Sequence, residues 1–124
     1  MAEGLRGYLR AARDRPFVWG EWDCCHFAAD WYLRCTGVDA LSSFRGAYSS
    51  EREARALIER EGGLLAAVDA RLQRSDNPIV GVVSLPDQEP ACAIPSDGRW
   101  AFLTPDGVAI CDPVRVAATV VGFA

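Results

Sequence analysis

The chain has 124 residues, a formal net charge of −4, 50% hydrophobic residues and 24% charged ones. That length suits one compact domain with a core that needs no metal or disulfide staple. The apolar content excludes a disordered tail, and the acidic balance argues against duplex nucleic acid as a partner. All 13 basic residues are Arg, and 5 Cys stand beside one His, so any mechanism that needs an imidazole has a single source.

The N-terminal stretch, Met1 to Arg15, is charged and has no apolar signal-peptide region. No stretch approaches the roughly 18 apolar residues of a membrane-spanning helix. The expectation is a product that starts out cytoplasmic with reduced thiols. Leu5, Tyr8, Leu9 and Ala12 recur at helical spacing and predict a helix over Ala2–Arg13. Arg15-Pro16 ends it, because a residue before proline avoids the helical region. Phe17-Val18-Trp19-Gly20 is a tight apolar link. Asp23 is an N-cap for a second helix that runs to Cys35 and closes at Gly37. Its apolar face is Phe27, Ala28, Trp31, Tyr32 and Cys35. An irregular loop, Ser42 to Ser50, follows. Ser50 and Glu53 form a capping box for a third helix with the stripe Ala54, Leu57, Ile58. Gly62-Gly63 breaks it before a short fourth helix, Leu64 to Leu72.

After Asn77-Pro78 the patterns become strand-like: Ile79 to Leu85, Ala91 to Ile94, Arg99 to Leu103, Val108 to Cys111 and Thr119 to Phe123. Asp97-Gly98 and Asp106-Gly107 are hairpin turn signals. Helices first and an antiparallel sheet second make an α+β fold, a single domain over residues 1–124.

Chemistry concentrates in Trp19 to Asp30. A cysteine in the first turn of a helix meets free backbone N–H groups and the positive end of the dipole. Both favour the thiolate, which makes Cys24 the candidate nucleophile, with the charge of Asp23 working weakly against it. The competing reading is that Cys24 and Cys25 only pack beneath the sheet. The cysteines show no C-x-x-C spacing, so no zinc site, metal or cofactor is expected, and Cys35, Cys92 and Cys111 read as small core residues.

The ordered set Trp19-Gly20, Asp23-Cys24, Phe27-Ala28-Ala29-Asp30-Trp31, Thr36-Gly37 and Arg45-Gly46-Ala47-Tyr48 resembles the NlpC/P60 cysteine peptidase superfamily, and within it a small phage-tail branch. The resemblance implies a papain-like core with a five- or six-stranded sheet and Cys24 as nucleophile. It also implies a histidine on a core strand, oriented by a third polar residue. The matching stretch is Glu89 to Ile94, and Ala91 stands where that histidine would be.

His26 does not replace it. Two residues along a helix is roughly 200° of rotation, so its ring points away from Cys24. It reads as a solvated or locally hydrogen-bonded surface residue near the helix start. Glu89, Asp97, Asp106 and Asp112 are the carboxylates available, but an unburied carboxylate is too weak a base for a thiol. Trp19, Trp22, Trp31 and Phe17 read as core packing plus one exposed ring, with Trp22, flanked by Glu21 and Asp23, the ring expected to face a partner. Arg45 beside Gly46 suits carboxylate or carbonyl recognition within the domain.

The first functional expectation is a structural or assembly component of a phage, prophage or phage-derived tail, near the tail tip and built on an inactive NlpC/P60 scaffold. Its partners are other tail proteins, and it passes from the cytoplasm into the particle. The second is an active cysteine hydrolase cleaving peptidoglycan peptides through Cys24. A third is a metal-bearing tail component that uses several cysteines.

Overall fold

The computed structural model describes residues 2–84, 89–111 and 120–123. Four helices come first: α1 Ala2–Arg13, α2 Cys24–Thr36, α3 Glu51–Arg60 and α4 Leu64–Asp69. Five strands follow: β1 Val80–Val83, β2 Ala91–Ser96, β3 Arg99–Thr104, β4 Gly107–Cys111 and β5 Val120–Phe123. The strands form one antiparallel sheet in the order β4-β3-β2-β1-β5. Its two outer strands join through short connections or lie beside β1, so neighbours in space are mostly neighbours in sequence. The α+β architecture expected from the sequence is present. Leu85 and Thr119, expected at strand ends, lie outside the described residues.

The helix ends follow from local chemistry. Asp23 is extended and accepts from His26 N, and Gly37, left-handed at φ 78°, closes α2 with its N–H on Leu33 O. Ser50 caps α3 by accepting from Glu53 N at 3.1 Å. The Glu53 carboxylate reaches back to Ser49 N at 3.1 Å rather than to Ser50 N, so the reciprocal half of the box is shifted by one residue. At the tip between β2 and β3, Asp97 and Gly98 both have positive φ, 49° and 77°, which is the Asp-Gly hairpin turn the sequence signals.

Side chains alternate across the sheet with a period of two. Val80, Val82, Cys92, Ile94, Ala101, Leu103 and Phe123 face the helices and join Tyr8, Trp22, Phe27, Trp31 and Leu64 in the main core. Val83, Ala93, Trp100 and Phe102 form a smaller cluster on the opposite face, with Ala91 against it. The second helix packs on β2 and β3, and Phe27 and Ile94 at that contact are fully buried. This contact sets the start of α2 against the middle of the sheet.

Candidate functional site

Residues 18–22 form a tight reversal that delivers the chain to the start of α2. Val18 N donates to Trp22 O at 2.9 Å, and Trp22 N donates to Val18 O at 2.8 Å. The turn passes through Gly20 at φ 83°, where an added Cβ would lie 2.0 Å from Tyr48 O. Only glycine fits there, for both backbone and space. The reversal tucks Trp22 inward between Tyr8 and Phe27, with ring centroids 6.2 and 6.0 Å away. Trp22 is therefore buried, at 3% exposure, and not the exposed ring its acidic neighbours suggest.

Asp23 is the hub that follows. Its carboxylate accepts from Gly20 N at 3.0 Å, His26 N at 3.0 Å, His26 Nδ1 at 2.8 Å and the Tyr48 hydroxyl at 2.5 Å. Asp23 and His26 are both buried, at 1% and 2% exposure. Burial pushes the Asp23 carboxyl up, but the bonds from His26, Tyr48 and Gly20 outweigh it and bring its pKa down to about 2. An ionised carboxylate only accepts, so it is Nδ1–H of His26 that donates to it. Burial, the neighbouring Cys25 and the bond to Asp23 push the Tyr48 hydroxyl well above its ordinary range. The histidine expected on the surface is thus a buried one. Its hydrogen bonding is local, as the sequence allows, and the reversal and the Tyr48 loop exclude water from it.

Cys24 occupies the first turn of α2, where the sequence places it. Cys24 and Cys25 are half-buried and, with Cys92 of β2, line an apolar cavity of about 110 Å³ beneath Trp19, Leu41 and Phe44. The three thiols meet in series, Cys24 with Cys25 and Cys25 with Cys92. The hydrogen bond with Cys25, burial and the charge of Asp23 hold the Cys24 thiol well above its ordinary pKa, although a backbone contact at Cys92 works the other way. For Cys25 the bond with Cys24 lowers the pKa, but the bond to Cys92 and burial exceed it. The bond with Cys25, burial and the neighbouring carboxylate therefore work against the thiolate that the helix start favours.

The β2 residue on the helix-facing side is Cys92, whose thiol meets Cys25 and whose backbone meets Cys24, whereas Ala91 faces the other side of the sheet. Strand alternation decides this, since Ile94 points to the helices and Cys92 lies two residues before it. Of the carboxylates considered as bases, Glu89, Asp97 and Asp106 are all exposed, and Asp112 lies outside the described residues. No group of His, Cys, Asp and Glu among the described residues has the arrangement of a metal site.

Of the two partners expected for Arg45, carboxylate or carbonyl, the structure shows carboxylates. Arg45 bonds Asp30 at 2.6 Å and Asp39 at 2.9 Å, fastening the loop after α2 back onto that helix. Tyr48, carried by the same loop, then reaches Asp23. The sequence shows Tyr48 beside the Arg45-Gly46 pair, but gives no signal that it closes on a residue 25 positions earlier.

Residues 2–119 match a family model described as "Domain of unknown function (DUF6950)". The chain belongs to this family. No curated protein and no solved structure matches it. The DUF6950 match spans both the helical half and most of the strand half, so the Asp23 hub and the three thiols all lie within the family domain. No helix among the described residues is long and apolar enough to cross a membrane.

Proposed function

We propose that this DUF6950 chain is a structural or assembly component of the tail of a phage, prophage or phage-derived particle. It sits near the tail tip, binds other tail proteins and carries a papain-like NlpC/P60 scaffold without a catalytic base. The tail assignment rests on the ordered motif from Trp19 to Tyr48. The loss of catalysis rests on one observation: the only imidazole of the chain is bonded to Asp23, while the thiol of Cys24 is met by that of Cys25.

A thiol needs a base to attack a peptide carbonyl at neutral pH. The bond with Cys25, burial and the Asp23 charge work against the Cys24 thiolate, and of the two carboxylates that line its cavity Asp23 already accepts four hydrogen bonds while Glu61 is paired with Arg71 at 2.8 Å. The domain keeps the helix start as a fixed structural corner.

Alkylation by iodoacetamide across pH, read residue by residue by mass spectrometry, tests the loss of catalysis. Cys24 is expected to react only at alkaline pH, and muropeptides are expected to stay intact. A Cys24 pKa well below that of a free thiol, with muropeptide hydrolysis abolished in Cys24→Ala, would overturn the reading in favour of a peptidoglycan hydrolase. The tail assignment is tested by mass spectrometry of purified particles and by deletion of the gene. The chain is expected in the particle, and deletion is expected to leave incomplete tails. Intact tails lacking the chain would remove the assignment.

A further inference from the structure

The end of α1 and the α2 face carrying Asp30 and Arg34 enclose an open dish of about 520 Å³, separate from the thiol cavity. Three guanidiniums line it, from Arg15, Arg34 and Arg45, against one carboxylate, Asp30. Asp30 is taken by Arg45 at 2.6 Å. Arg15 and Arg34 make no ion pair with any described residue. Each is instead laid over an aromatic ring, Arg15 Cζ 4.1 Å from the Trp22 centroid and Arg34 Cζ 5.3 Å from that of Tyr8. Stacking uses the face of a guanidinium and leaves its N–H edge available to a ligand.

A second observation is independent of charge. Trp22, in the wall of the same dish, has a buried Nε1–H with no acceptor among the described residues. Buried donors are nearly always paired, and an unpaired one marks a place where an acceptor belongs. Arg15, which is exposed, covers the Trp22 ring from the solvent side.

We propose that this dish binds a carboxylate-bearing ligand. Its oxygens take the N–H edges of Arg15 and Arg34. One of them also accepts from Trp22 Nε1–H when Arg15 slides off the ring. The planar fork of arginine matches a carboxylate in two parallel hydrogen bonds. The site is a local positive field on a chain whose net charge is −4. The ligand group comes either from a small dicarboxylate or from the acidic side chains of a protein segment. The proposal does not depend on the tail reading.

The test is a titration followed by the indole N–H signals of the four Trp in a ¹H–¹⁵N spectrum. Trp22→Phe identifies the Trp22 signal. Succinate, a blocked tri-glutamate peptide, succinamide and inorganic phosphate are added at constant ionic strength, so that screening does not vary. The Trp22 signal is expected to move saturably with succinate or the peptide and to stay still with succinamide. Arg34→Gln and Arg15→Gln, with helix content checked by circular dichroism, are each expected to weaken binding about tenfold, as loss of a charged hydrogen bond should. Tighter binding of the peptide at equal carboxylate concentration assigns the ligand to a protein segment, and the reverse assigns it to a small molecule. A Trp22 signal that does not move saturably, affinity unchanged in both Arg variants, or phosphate bound more tightly than either carboxylate would overturn the proposal.

Discussion

His26 Nδ1 lies 2.8 Å from Asp23 Oδ1, one helical turn from a residue that is itself 1% exposed. The pair joins the cap of α2 to its first turn, and it takes up the one imidazole of the chain. Tyr48 and Gly20 complete the same hub from a loop and a turn. The chemistry beside Cys24 is therefore that of a fixed helix start.

The hub makes stability depend on acid. The Asp23 carboxyl falls from 3.8 to about 2 on folding. A group with a depressed folded pKa stabilises the fold above its unfolded pKa, and that contribution is lost as pH falls through the folded value. Asp23 should thus add about 2 kcal/mol at neutral pH, disappearing between about pH 4 and pH 2. Urea denaturation across that range checks it, against an Asp23→Asn variant in which this step is absent.

Tyr48→Phe removes one hydrogen bond to a buried carboxylate and leaves the ring in place. A loss of about 1.5–3 kcal/mol is expected. Equilibrium denaturation measures it, and a loss near zero would mean that the loop is not held by this bond.

Gly20→Ala meets two obstacles, a backbone φ of 83° and a Cβ that would lie 2.0 Å from Tyr48 O. Because the obstructing atom is backbone, it cannot swing away. The expected cost is about 3 kcal/mol or more, combining strain and overpacking. A thermal melt compared with Gly46→Ala separates the two causes, since Gly46 also has positive φ but open space around its Cβ.

Trp31→Ala truncates a core ring that is 7% exposed and packs 5.2 Å from Tyr8. It should cost about 3–5 kcal/mol. Denaturant titration of the purified variant checks the figure.

The elements were legible because each carries its own short-range signal. Runs rich in Val, Ile and aromatics between proline and Asp-Gly signals marked β1 to β4, and Asp23, Gly37 and Ser50 marked helix ends to within a residue. The position of Cys24 at a helix start was legible for the same reason. Cys92 could have been placed beside it by extending the two-residue period back from Ile94, which the motif match at Ala91 obscured.

By itself the sequence determined the order of helices and strands, the cap at Asp23, the place of Cys24 and the scarcity of imidazole. Those depend on spacing within a turn or a strand. Only the tertiary structure decided that Trp22 and His26 are buried, that Tyr48 closes on Asp23, and that the thiol of Cys24 meets that of Cys25 against an apolar cavity. A helix dipole acts locally, and the sequence shows it. Desolvation and the neighbours that set a pKa come from segments distant along the chain, and these become visible only when the reversal at Gly20, the Arg45 loop and β2 are brought together.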